Sequence, residues 1–224
     1  TLDRSSAASD VYKRQHMNIA IIDCGMGNLR SLFNAFYFPA SSLHPTVNAK
    51  FARSIQEIRQ VDTGQGCFLH CIKSLNNNGL QKVLQEVFLK RTFLGICVDA
   101  QLFFEKNDQE NCTDLELYHG IVKALAKQID DKKIKIPYIG WNTLKQKKAH
   151  LLLQGIAQNS YFYFAHSYYL APEEEITLGE SVYAFPFTTF INRNNVIATQ
   201  FHPEKSRRAG LQFLKNFILW DGTT

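Results

Sequence analysis

The stretch LGICVDAQ (residues 94–101) sets one cysteine between an apolar run and a run of helical character. The segment RTFLGIC (91–97) reads as a buried strand, because a short apolar run bounded by polar residues suits a strand covered on both faces. DAQLFFE (99–105) reads as the start of a helix. Cys97 then stands on a strand-to-helix turn at the carboxyl end of a strand, where open α/β sheets place their ligands. A side chain on so sharp a turn is held out of the core. The helix start carries partial positive charge, which favours an anion, and the N–H of Val98 is placed to hold an oxyanion. Two readings of Cys97 stand here: a nucleophile, or a small thiol that closes the strand end.

Outward from this turn, the chain alternates. Toward the N-terminus, NIAIID (18–23) is a strand and GMGN (25–28) a turn. LRSLFNAFYF (29–38) is a helix with Leu29, Leu32, Phe33 and Phe36 on one face. Residues 52–60 are polar, and TGQG (63–66) reads as a glycine loop. Residues 67–89 hold one or two helices, broken near Asn76–Gly79. Toward the C-terminus come aromatic and β-branched strands: KIPYIGWN (135–142), SYFYFAHSYYL (160–170), SVYAFPFTTFI (181–191) and VIATQFHPE (196–204). RAGLQFLKNFILW (208–220) is a closing helix. Strands and helices alternating at this spacing predict an α/β fold: an open, mainly parallel twisted sheet with helices on both faces.

The totals agree with one domain, expected over residues 17–224. The chain has 224 residues, of which 45% are hydrophobic, enough for a core. Its formal charge of +5 is spread out, and the densest basic run, KKIK (132–135), is too short to argue for nucleic acid. No apolar run approaches the roughly 20 residues that span a bilayer, and the polar first sixteen residues give no secretory pattern. Five cysteines, with no C-x-x-C pair, fit reduced thiols in a cytoplasm rather than a disulfide framework or a metal site. Residues 1–16, TLDRSSAASDVYKRQH, lack periodicity and are expected to be a non-native or disordered extension ahead of Met17.

A second motif bears on Cys97. QFHPEKS (200–206) carries His202 and Glu204 on either side of Pro203. Proline drives its predecessor into an extended conformation, and in an extended chain residues i and i+2 point the same way. A glutamate beside a histidine can orient the imidazole and stabilise its charged form. Parallel strands bring their carboxyl ends to one edge, so Cys97 is the natural nucleophile for this histidine, and acyl transfer through a thioester the natural chemistry. Alone, His-Pro-Glu is equally a surface turn.

Together these residues resemble the class I glutamine amidotransferases, a family with a flavodoxin-like sheet and a Cys-His-Glu triad. MNIAIIDCGMGNLRS (17–31), KIPYIGWN, YFYFAHSYY (161–169) and TQFHPEKS (199–206) resemble in particular its glutaminase subunits of imidazole glycerol phosphate synthase, from residue 17 to about residue 220. The resemblance implies that Cys97 is the nucleophile, His202 the general base and acid, and Glu204 its orienting carboxylate. It implies that Gln101 holds the amide side of glutamine, and that Ser167 and Tyr168 lie where its amino-acid end is held. Gly64 and Gly66, with Val98, would line the oxyanion and substrate site. Asn28, Trp141 and Lys205 would lie near the partner, a (β/α)8 cyclase barrel that receives ammonia for histidine biosynthesis. The resemblance implies a cytoplasmic heterodimer that needs no cofactor and no metal. Without it, Trp141 reads equally as core, Asn28 as a turn residue and His166 as a satisfied strand histidine.

Two departures from the family pattern stand out. Glycine is usual two residues after the nucleophile, whereas this chain has Asp99, whose negative charge would oppose an anionic sulfur. The family's strand leading into Pro-Gly-Val-Gly is replaced by IRQVDTGQG (58–66), so that strand is expected to be absent or taken from residues 55–61. These departures leave open a catalytically impaired docking subunit. An amidotransferase of the same fold that serves another acceptor, such as a nucleotide sugar, is also left open.

Overall fold

The computed structural model describes residues 17–23, 29–43, 47–52, 54, 56–57, 64–69, 80–108 and 115–223. The expected N-terminal extension, residues 1–16, lies outside them, as do the break near residues 76–79 and Asn28.

Five short strands form the parallel half of a mixed sheet. They are β1 (Met17–Asp23), β2 (Val47–Ala52), β3 (Gly64–Leu69), β4 (Phe93–Ile96) and β12 (Val196–Thr199), in the spatial order β2-β1-β3-β4-β12. Beyond β12 the sheet turns antiparallel through β11 (Phe185–Arg193), β10 (Thr177–Tyr183), β7 (Tyr138–Gln146) and β8 (Ser160–His166). A branch of β5 (Phe104–Asn107), β6 (Tyr118–Ala124) and β9 (Tyr168–Pro172) joins at β11, with the one-turn helix α4 (Leu125–Gln128) directly after β6. The fold is therefore α/β, as the sequence implies, with the strand-rich second half supplying an antiparallel extension.

The central strands β1, β4 and β12 are largely apolar because both their faces are covered, whereas the edge strand β2 carries Asn48 and Lys50. Ile19, Ile21, Leu94, Ile96 and Ile197 point into one core, under helices α1 (Leu29–Leu43) and α5 (Arg207–Leu219). Ala20, Ile22, Phe93, Val196 and Ala198, their alternate neighbours, point into a second core with Val83, Leu84 and Phe88 of α2 (Leu80–Phe88). Gly95 faces this second core. A Cβ there would meet the Phe103 ring at 2.6 Å, so glycine makes room for the ring that backs the Cys97 turn.

Two expectations are corrected. DAQLFFE does not continue as a helix: α3 (Val98–Gln101) is a single turn, after which residues 104–107 form β5. Leu102, Phe103 and Phe104 are all fully buried, which a one-sided amphipathic helix could not achieve. The strand thought absent or taken from residues 55–61 is instead residues 64–69, which pair with β1 and β4. The glycines read as a loop lie inside it.

Candidate active site

Cys97 follows β4 directly. Its backbone has φ 58° and ψ −105°, a left-handed conformation that a residue with a side chain adopts only under constraint. The constraint comes from β12, whose Thr199 carbonyl accepts the Cys97 N–H at 2.7 Å. Thr199 pairs with Ile96 in the parallel ladder, so the chain after β12 and the chain after β4 leave the sheet side by side. Cys97 is 3% exposed, and its sulfur lies 3.7 Å from the Ala165 carbonyl of β8.

Three residues past Thr199 stands His202. Its N–H donates to the Tyr163 carbonyl at 2.9 Å, tying this segment to β8. The Ser206 hydroxyl completes the clasp: it donates to the His202 carbonyl at 2.6 Å and accepts the Tyr163 N–H at 2.9 Å. His202 is extended, and Pro203–Lys205 form one 3-10 turn. Glu204 is thus brought beside His202 by a turn rather than by a straight strand, with Glu204 Oε1 2.9 Å from His202 Nδ1. Both side chains are buried, at 8% and 5% exposure. With Nδ1 engaged by the carboxylate, Nε2 is left for the sulfur. Burial disfavours charge on the ring, yet hydrogen bonds to Cys97 and Glu204 outweigh it and push His202 up to about 10. A sulfur, an imidazole that holds a proton and a carboxylate that orients it form a set suited to acyl transfer.

Around the triad, Gln101 and Gln200 are both buried. Gln101 Nε2 donates to the Tyr168 carbonyl at 3.4 Å and to Gln200 Oε1 at 3.1 Å. Gln200 Nε2 in turn donates to the Cys97 sulfur at 3.6 Å. Ser167 links β8 to β9, its carbonyl accepting the N–H of Leu125 at 2.9 Å. Val98 opens the turn after Cys97, where the first N–H groups of a helix have no intrahelical partner. Asp99 lies in the same turn with no exposure. Cys97, Val98, Gln101, Tyr168, His202 and Glu204 therefore share one neighbourhood.

Gly64 and Gly66 do not join them. Gly66 pairs with Phe93 at the start of β4, and Gly64 with Asn18 at the start of β1, so both occupy the amino-terminal half of β3. Cys97 lies beyond the opposite end of β4. In a parallel sheet these ends are on opposite edges, so the two glycines are not oxyanion donors in this arrangement. Residues 70–79, which follow the carboxyl end of β3, lie outside the described residues.

Trp141 and Lys205 sit on an outer face. Trp141 of β7 is 41% exposed, packs edge-on against Tyr163 with centroids 5.8 Å apart, and has the Arg207 guanidinium 5.2 Å from its ring centre. The Lys205 ammonium lies 5.7 Å from the centre of the Tyr163 ring. His166 is buried, with Nδ1 2.7 Å from the Tyr168 carbonyl, and burial pulls it down to about 4, so it is neutral. Its Nε2 has no hydrogen-bond partner among the described residues, so it is only half satisfied as a strand histidine.

Sequence reasoning missed Gln200, Ser206 and Gly210. Gly210 admits the Pro203–Lys205 turn against α5: a Cβ there would lie 1.9 Å from the Pro203 carbonyl oxygen. The available signal was their position within or just beyond QFHPEKS. Among the described residues there is no group of three or more His, Cys, Asp or Glu able to hold a metal, and no helix long and apolar enough to cross a membrane.

The family model for class I glutamine amidotransferases matches residues 20–220. The imidazole glycerol phosphate synthase subunit HisH of Neisseria gonorrhoeae is 40% identical over 212 residues, covering 91% of this chain and 100% of the relative. That of Nitrosomonas europaea is 41% identical over 208 residues, covering 91% and 98%. Among solved structures, a putative GMP synthase subunit from Thermoplasma acidophilum superposes with TM-score 0.64 at 16% identity, over 91% of this chain and 92% of that one. Another, described as a glutamine amidotransferase, superposes with TM-score 0.64 at 13% identity over 89% and 98%. With the family model spanning nearly the whole fold and close relatives matched from end to end, the chain belongs to the class I glutamine amidotransferases, in the branch of imidazole glycerol phosphate synthase HisH subunits.

Proposed function

We propose that this chain is the glutaminase subunit of an imidazole glycerol phosphate synthase. It would hydrolyse glutamine to glutamate and ammonia and pass the ammonia to a (β/α)8 cyclase subunit in histidine biosynthesis. The observation that carries the reading is the meeting of Cys97, from mid-chain, with the buried His202–Glu204 pair at one sheet edge.

In this mechanism the Cys97 sulfur adds to the glutamine side-chain carbonyl carbon while His202 holds the thiol proton. The oxyanion that forms is met by the Val98 N–H. His202 gives its proton to the amide nitrogen, the C–N bond breaks, ammonia leaves and a thioester remains. Neutral His202 then takes a proton from water as the hydroxide adds to the thioester carbon. Collapse expels the sulfur and releases glutamate, with Glu204 holding the imidazole orientation throughout. Gln101 and the Ser167–Tyr168 backbone hold the substrate. No cofactor enters these steps, and reduced thiols suit a cytoplasmic enzyme.

The cyclase would dock on the outer face of β7 and β8. Ile139, Trp141 and Tyr161 are exposed there, with Val182 exposed on the neighbouring β10. Contiguous aromatic and aliphatic side chains of this kind mark interaction surfaces.

Cys97→Ser is expected to abolish glutamine hydrolysis, measured as glutamate release with the cyclase present, while leaving partner binding intact. A residual rate above about 1% of the starting value overturns the nucleophile assignment, since loss of a covalent nucleophile costs far more than 10²-fold. A second reading, a docking subunit of low activity, is favoured by the buried Asp99 beside Cys97. Labelling with a diazo-ketone analogue of glutamine, with and without the cyclase, separates the two: no label on Cys97 in either state supports the docking subunit.

A further inference from the structure

We propose that Gln200 is a positioning residue for the Cys97 sulfur, acting through a hydrogen-bond relay whose polarity is set by the Tyr168 carbonyl. The inference rests on Cys97 being the nucleophile.

A side-chain amide can face either way, so its direction must come from its partners. Here the partners leave one choice. The Tyr168 carbonyl oxygen can only accept, so Gln101 must turn its Nε2 toward it, at 3.4 Å. The same Nε2 lies 3.1 Å from the Gln200 side chain, which must therefore present Oε1. The remaining end of Gln200, its NH2 group, then faces the Cys97 sulfur at 3.6 Å. Flipping either amide would set donor against donor or acceptor against acceptor in a site where both residues are at most 2% exposed and water cannot intervene. Gln200 cannot drift away either, because its own N–H donates to the Thr189 carbonyl at 2.8 Å.

A fixed donor aimed at sulfur favours the anion and fixes the direction from which the sulfur attacks. The Ala165 carbonyl, 3.7 Å from the sulfur, can only accept, so it does the opposite and favours the neutral thiol over the anion. Gln200 and His202 thus flank the sulfur as its two donors. Gln101, which the proposed function sets against the glutamine substrate, is also the anchor of the relay, so substrate contact and sulfur reactivity share one side chain.

The experiment reads Cys97 directly, without glutamine. Alkylation by iodoacetamide, in which the sulfur displaces iodide, is followed at residue 97 by peptide mass mapping, at pH 7, in the cyclase complex. Gln200→Met keeps the length of the side chain and removes the donor. It is expected to slow alkylation about ten-fold, the worth of one hydrogen bond to a charged group. Gln200→Glu, which keeps the shape but sets an acceptor against the sulfur, is expected to slow it further. Gln101→Met releases the anchor and is expected to slow alkylation as Gln200→Met does, with the double variant no slower than either. In glutamine turnover, Gln200→Met is expected to lower kcat with little change in KM.

Alkylation within two-fold of wild type in both Gln200→Met and Gln101→Met overturns the relay, as does an additive double variant. Should Gln200→Met not fold, Gln200→Glu and Gln101→Met carry the same test. Cys97→Ser separates this failure from failure of the proposed function. If that variant still hydrolyses glutamine, the nucleophile reading falls. If it is inactive while the relay variants alkylate normally, only the relay falls.

Discussion

Asp99 is the residue whose position bears most directly on the proposed role of Cys97. It stands two positions after Cys97, in the first turn of α3, with no exposed surface. An ionised carboxylate at a helix start is favoured by the peptide dipoles, but in the same turn as a sulfur that the proposed mechanism makes anionic it would oppose that step. Asp99→Asn keeps the shape and removes the charge. It is expected to raise the rate of Cys97 alkylation at pH 7 by several-fold, and glutamine hydrolysis with it; a fall in both would show that the carboxylate supports the turn instead. The placement of Asp99 and Cys97 was legible in LGICVDAQ, because a strand end followed by a helix start is a local pattern. Gln200 was not legible. Its side chain meets a sulfur 103 residues away, and no local pattern reports a contact across that distance. The pairing of His202 with Glu204 was legible from Pro203 alone, although a 3-10 turn, rather than a straight extended chain, delivers it.

At the scale of elements, β1, β4 and β12 are readable as short apolar runs, since burial on both faces favours apolar residues, whereas β2, interrupted by Asn48 and Lys50, is not. The misreadings came where that signal fails. Gly64 and Gly66 read as a loop, because glycine is the commonest mark of one, yet here they begin a strand. Residues 102–104 continue the apolar run after Cys97, and a short apolar run does not by itself distinguish helix from strand. The element that sets His202 is the turn at residues 203–205 packed on α5, and its tolerance is narrow at Gly210. Because a Cβ at Gly210 would lie 1.9 Å from the Pro203 carbonyl oxygen, a backbone atom that cannot rotate away, Gly210→Ala must push the turn off the helix. The expected cost is about 1–3 kcal/mol of stability in urea unfolding, as for overpacking elsewhere. A larger proportional loss in glutamine hydrolysis should accompany it, since His202 moves with the turn. An alanine variant of unchanged stability and rate would mean that the turn is not held by this contact.

At the scale of the whole molecule, the sheet has two ends with different work. The parallel half positions Cys97 and His202, and the antiparallel extension carries β7 and β8 outward, with Ile139, Trp141 and Tyr161 turned to solvent. The two are connected. Tyr163 touches Trp141 through its ring, and its carbonyl accepts the His202 N–H. A partner seated on the outer face therefore presses on residues one step from the imidazole. A large aromatic side chain at such a face, ringed by Tyr163 and Arg207, has the character of an interface anchor, whose removal commonly costs 2 kcal/mol or more of binding. Trp141→Ala is accordingly expected to weaken association with the cyclase subunit by at least about 30-fold, the floor set by that cost. Titration calorimetry with the purified cyclase measures it, and matching melting temperatures of variant and wild type exclude unfolding as the cause. Affinity unchanged in a well-folded Trp141→Ala chain would move the docking site off this face and cut the link between docking and His202.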